Sequence, residues 1–216
     1  MGITSSTALW YASRATGVVA LVLLTVVVLL GILVNRRGRL PGLPRFATTS
    51  LHRSMSLLAV AFIAVHVATA IADPYVTIGI AAAIIPFTSA YEPLWLGLGA
   101  ISFDVIIALI VTSLARARIG RRTWRAVHWL AYACWPVALA HSLGSSTDLR
   151  SGWLLTLTIC CTAAVGAAAC WRIVSSMAAR REAERPARAL SIGPAADGPP
   201  ADRRSGDRAL TGAGAR

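Results

Sequence analysis

Residues 51–67 read LHRSMSLLAVAFIAVHV, an apolar run with a histidine near each end. Residues 127–142, VHWLAYACWPVALAHS, repeat that arrangement. The two segments hold the only four histidines of the chain: His52 and His66 stand 14 positions apart, His128 and His141 13 apart. A helical rise of ~1.5 Å per residue puts ~20 Å between the members of each pair. Each helix would then carry one imidazole toward either face of a ~30 Å hydrocarbon layer. Were the two helices neighbours, His52 would face His128 and His66 would face His141, giving two levels of paired imidazoles across a membrane. Paired imidazole is one of the ligand sets that hold haem iron. A polar ring in lipid is costly without a partner, and four at matched depths are hard to assign to packing.

Helical phase supports one pair more than the other. At ~100° per residue, 14 positions bring His66 within ~40° of His52, so one face carries both. Thirteen positions leave His128 and His141 ~140° apart. Pro136, between them, removes a backbone hydrogen bond and is expected to kink the helix or change its winding.

The rest of the chain fits a membrane protein. Its 216 residues are 56% hydrophobic, with mean hydropathy +0.65, which calls for several spans and excludes an ordinary soluble domain. The net charge of +12 is carried entirely by arginine, because the chain has no lysine. Those arginines cluster beside apolar runs, which is a topology signal and not a nucleic-acid surface. Cys134, Cys160, Cys161 and Cys170 lie inside apolar runs without a C-x-x-C pair and read as buried filler.

In chain order, residues 1–16 form an outer segment that includes the interfacial aromatics Trp10 and Tyr11. Its start, Met1-Gly2-Ile3-Thr4-Ser5-Ser6, matches a myristoylation pattern by accident in a chain of bacterial character. Spans are expected at about 17–34, 51–72, 93–114, 126–144 and 153–174, all within a transmembrane domain of residues 17–174. The first lacks a basic start and an A-x-A site and reads as a retained helix. Residues 75–92 are too short in apolar length and are interrupted by Pro86, so they read as interfacial or re-entrant, a sixth crossing only if they enter fully. One side of the bundle receives the turn Arg36-Arg37-Gly38-Arg39 with Arg45, the cluster Arg116, Arg118, Arg121, Arg122 and Arg125, and the tail after Arg172. The other receives only Arg14 and Arg150. The positive-inside bias then places the N-terminus outside and the C-terminus in the cytoplasm of a bacterial plasma membrane. Residues 175–216, rich in Ala, Gly, Pro, Arg and Asp, read as a disordered cytoplasmic tail, with docking to an acidic partner or anionic lipid as an added role.

Several segments carry a resemblance beyond the histidine spacing: Ser13-Arg14-Ala15-Thr16-Gly17, Leu51-His52-Arg53-Ser54 and Trp124-Arg125-Ala126-Val127-His128-Trp129-Leu130. With the two histidine pairs, they resemble the ferric reductase-like transmembrane domain family over about residues 10–175. That family includes the membrane parts of NADPH oxidases, yeast-type ferric reductases and the haem subunit of bacterial periplasmic methionine sulfoxide reductase. The resemblance implies an all-α integral membrane bundle of five spans, or six with the re-entrant segment, holding two stacked b haems. His52 and His128 would hold the inner haem, and His66 and His141 the outer. It also implies electron flow from the cytoplasmic to the outer face.

The departures bear on function. NADPH oxidases and ferric reductases continue into flavin and nicotinamide domains, whereas the sequence after the fifth span has neither a strand–helix pattern nor a Gly-rich phosphate loop. The run Pro86-Phe87-Thr88-Ser89 echoes the family's flavin motif, but it lacks the preceding histidine and falls in an outer loop. A further helix common in the family is also missing unless residues 75–92 substitute for it.

Secondary candidates each have two readings. Arg14 suits the propionates of the outer haem; Arg53 and Arg125 suit the inner haem, or are topology arginines that snorkel to headgroups. Trp135, midway between His128 and His141, is a packing residue or a ring between the haems. Asp104, in the middle of the third span, is a proton carrier or a hydrogen-bonded structural acid. With both axial positions filled, substrate would be reduced at the haem edge, so the chain reads as an oxidoreductase subunit and electron-transfer cytochrome b. Its donor would be a cytoplasmic flavin reductase or quinol, docked at the basic inner surface in the first case. Its outer acceptor would be a ferric chelate, dioxygen or an exported redox protein. A quinone-reactive b-type cytochrome subunit of a larger complex is the alternative. A non-haem scaffold or metal carrier using the histidines directly is the third class.

Overall fold

Pro44 opens the first of the two histidine helices. Its extended backbone sits at the N-cap, and α2 (Arg45–Ala72) runs from there to Asp73, which is extended because Pro74 follows it. The computed structural model describes residues 2–35, 44–74, 76, 78–146 and 148–191, and among these every regular element is helical. Before α2 comes α1 (Gly2–Asn35), and after it the short α3 (Ile80–Ile84). Then follow α4 (Pro93–Leu114), with proline in its first turn, α5 (Arg116–Ser145), one 3-10 turn at Asp148–Arg150, and α6 (Gly152–Ser191).

Two long hairpins make the architecture: α1 packs along α2 and α4 along α5, and the hairpins meet chiefly through α1 and α5. One apolar cluster joins all four helices through Ala20, Ile63, Ile106 and Cys134. A second links Val28 and Ile32 of α1, Trp135 of α5 and Cys161 of α6. Large side chains such as Leu57, Val65, Ile107, Val111 and Ile159 face outward, as lipid-facing positions do.

Four helices are long and apolar enough to cross a membrane: Thr7–Asn35, Phe46–Ala72, Pro93–Leu114 and Gly152–Glu182. They coincide with four of the five expected spans. The fifth, on α5, is diluted by two histidines, two tryptophans, Tyr132 and Pro136. Among the described residues of 75–92 the one helix is α3, too short to cross. They are pinned by Phe87, whose φ of 65° is left-handed and whose ring covers Gly97.

Other boundaries differ from expectation. Helix α1 begins at Gly2, so the outer segment is helical, and α2 starts six residues before the expected 51. Pro136 does not break α5, which keeps helical dihedrals there; the one non-helical residue is Gly120 (φ 76°, ψ 160°). The chain divides into two units, residues 1–173 and 174–216. Within the second, residues 174–191 are helical where a disordered tail was expected. The remainder of that tail and the turn Arg36–Arg39 lie outside the described residues.

Candidate functional site

At the outer level, His66 of α2 and His141 of α5 face each other with ring centres 6.3 Å apart and planes crossed at 73°. His66 Nδ1 donates to the Ser13 carbonyl of α1 and His141 Nδ1 to the Trp95 carbonyl of α4, each at 2.8 Å. A carbonyl can only accept, so each Nδ1 carries a proton, which in the neutral ring leaves the Nε2 lone pair free. Both line a cavity of about 740 Å³ roofed in part by Ala82, Ala83 and Tyr91 of the 73–92 segment. Two imidazoles sharing one metal through bonds of about 2 Å stand about 6 Å apart, centre to centre. The outer pair therefore fits an axial ligand set as it stands, and an Nδ1–H held by a carbonyl is the usual support for a metal-binding imidazole.

The inner level is built differently. His52 and His128 are near enough to interact electrostatically, but no ring contact joins them among the described residues. The Nδ1 of each is buried without a hydrogen-bond partner. The Val27 carbonyl stands toward His52 as Ser13 does toward His66, yet outside hydrogen-bonding geometry. His128 instead stacks on Trp124, one turn earlier in α5 (4.8 Å between centres, planes 21° apart), and Arg116 lies over the other ring system at 4.6 Å. The ~140° phase difference between His128 and His141 is not removed by a break, since α5 is helical through Pro136. It appears as this contrast between a closed outer pair and an open inner one.

Three of the four rings rest on glycine. A methyl at Gly17 would lie 3.0 Å from the His66 ring, at Gly31 3.4 Å from His52, and at Gly99 2.7 Å from His141. Gly17 and Gly31 are 14 residues apart on α1, as His52 and His66 are on α2, so the antiparallel register matches each ring with a bare patch of backbone. The His66 and His141 carbonyl partners, Ser13 and Trp95, lie one turn before Gly17 and Gly99. None of these residues was singled out from sequence for this role. The signal was the repeated spacing, readable only once α1 is known to lie against α2.

The remaining candidates separate. Arg14 lines the outer cavity, but one of its nitrogens holds Asp148 at 3.0 Å and Ser146 at 2.8 Å, and its guanidinium lies 4.3 Å over Trp10. It ties the outer end of α1 to the turn before α6. Arg53 and Arg125 are exposed. Trp135 is buried, donates Nε1–H to Thr25 Oγ1 at 3.0 Å, and packs against Val28, Ile32 and Cys161. Asp104 is outside the cavity lining and shares its helix face with the exposed Ile107, Val111 and Leu114. Among the described residues, no group of three or more His, Cys, Asp or Glu is assembled that could hold a bare metal ion.

A helical bundle with membrane-spanning helices and imidazoles at two depths defines the class of the protein, an integral membrane domain with paired histidines. Residues 16–139, more than half of the chain, match the ferric reductase like transmembrane component, and the chain belongs to that family. Domains of this family generally bind haem and work with redox partners. The match contains His52, His66 and His128 and ends two residues before His141. No curated protein and no solved structure matches the chain.

Proposed function

We propose that the chain is a transmembrane electron-transfer cytochrome b with two b haems, an inner one on His52 and His128 and an outer one on His66 and His141. The observation that carries this reading is the outer pair, two imidazoles at 6.3 Å with both Nδ1 atoms held by backbone carbonyls. It supplies the one ligand that the family match leaves out. Held by these four histidines, haem would supply one-electron transfer chemistry at each level.

The protein does the rest. Ser13 and Trp95 fix the tautomer of the outer ligands and raise their basicity. Gly17, Gly31 and Gly99 let three rings seat against neighbouring backbone. Val76, Ile78, Ala82, Ala83 and Tyr91, between α2 and α4, line part of the outer cavity, whose rim is where an outer acceptor would approach. The exposed arginines at 116, 118, 121, 122 and 125 form a basic inner surface suited to an acidic flavoprotein donor, with quinol as the small-molecule alternative. On this reading the acceptor is a ferric chelate, dioxygen or an exported redox protein.

The test is the reduced-minus-oxidised spectrum of the purified protein with a haem-per-chain count. Two low-spin bis-imidazole haems are expected, and His66→Ala should remove one while leaving the other. A purified, folded chain without that spectrum would overturn the proposal.

A further inference from the structure

Around the inner level, polar atoms that ought to have partners lack them. Thr48 is fully buried, 0% exposed, and its hydroxyl has no hydrogen-bond partner. That is unusual within this protein. The hydroxyls of Thr16, Thr25, Thr69, Thr112, Thr158 and Thr162 all fold back on a carbonyl one turn earlier in their own helices, the usual solution in an apolar setting. Trp124 Nε1–H is likewise buried and unpartnered. An indole N–H can only donate, and a buried donor without an acceptor costs free energy.

The positions of the two donors match. Thr48 precedes His52 by four residues on α2, and Trp124 precedes His128 by four on α5. Each lies one turn, ~6 Å, from an inner imidazole on the same helix side, displaced toward the arginine-rich end. Arg116 sits 4.6 Å over the Trp124 ring and brings a positive charge to this place. It reaches back there because Gly120, in the left-handed region, turns the first residues of α5 away from the helix axis. Two buried donors without acceptors, one of them with a cation over its ring, are groups suited to carboxylates. Arg53 and Arg125 are as exposed as Arg116, but among the described contacts Arg116 is the arginine placed against one of these donors.

We propose that Thr48 Oγ1–H and Trp124 Nε1–H, backed by the charge of Arg116, receive the propionate carboxylates of the inner haem. This rests on the reading of His52 and His128 as inner haem ligands. Thr48 and Trp124 are thereby cofactor-binding residues at the cytoplasmic edge, and Arg53 and Arg125 are left to the headgroups.

The test uses the full-length protein in detergent, with haem release to excess apomyoglobin followed spectroscopically for each haem. Thr48→Val and Trp124→Phe should each speed release of one haem about tenfold or more, the range expected for losing a hydrogen bond to a charged group. The other haem, unchanged in the same molecule, reports that the bundle is still folded. Thr48→Ser should restore slow release. A second arm reconstitutes the protein with haem dimethyl ester, which has no carboxylates. The unsubstituted protein should then release its inner haem as fast as the variants do, and the substitutions should add nothing further. Equal retention of both haems in the variants would overturn the proposal. So would a substitution effect of equal size with the ester, because the two residues would then act by packing alone. Absence of bis-imidazole haem from the unsubstituted protein would instead remove the reading on which the proposal rests.

Discussion

At the scale of single residues, the site depends as much on absent side chains as on the four imidazoles. A β-carbon at Gly99 would come within 2.7 Å of the His141 ring, one at Gly31 only within 3.4 Å of His52. Gly99→Ala is therefore expected to displace His141 and perturb the outer haem spectrum or lower its occupancy, while Gly31→Ala leaves the inner haem nearly as it was. Difference spectra with haem counts distinguish the two. The histidines were legible in the sequence because they are few and sit alone in apolar surroundings, where an imidazole needs a reason to be. The glycines were not, since glycine is common in membrane helices and its spacing acquires meaning only against a neighbouring helix. Thr48 was hidden for a related reason: the apolar run begins at 51, so the expected span left Thr48 outside it, though Pro44 marks a helix start just ahead.

Among the elements, α5 carries most of the consequences. Its proline does not bend it out of helical geometry, and its anchorage to α1 includes the Trp135–Thr25 hydrogen bond, with the threonine hydroxyl donating in turn to Leu21 O. Thr25→Val would leave the buried indole N–H without an acceptor, and a loss of about 1–3 kcal/mol is expected, read as a lower denaturation midpoint in detergent. The Arg14–Asp148 pair at the outer end is partly exposed, with side chains 29% and 51% accessible. Asp148→Asn should accordingly cost only about 0–1 kcal/mol, yet it loosens the rim of the outer cavity. Faster oxidation of the reduced protein by a bulky ferric chelate, at unchanged stability, is the expected sign, measured by stopped flow.

For the molecule as a whole, the arginine distribution makes orientation a sharp expectation. In a background lacking the four native cysteines, Ser151→Cys should react with a membrane-impermeant maleimide added to intact cells, and Thr123→Cys only after lysis. The reverse pattern would invert the electron path drawn above. The all-helical bundle, the main spans and the family were legible because hydropathy, arginine placement and histidine spacing all act over whole helices. The pairing of helices into two hairpins was not, because the lipid-facing and packed sides of such helices differ little in composition.

The contrast between the closed and open imidazole pairs also bears on how firmly the protein would hold each of the two proposed haems. At the outer level the two rings stand at metal-bridging separation, each Nδ1 held by a neighbouring carbonyl. Rings oriented in this way resist the displacement that release of a metal requires. At the inner level neither ring has such a hydrogen bond, and four buried side-chain polar atoms lack partners. Graded denaturant should thus release the inner haem before the outer one, read as two steps in the reduced-minus-oxidised spectrum. Loss of cofactor would begin at the cytoplasmic end, where on the proposed reading electrons enter.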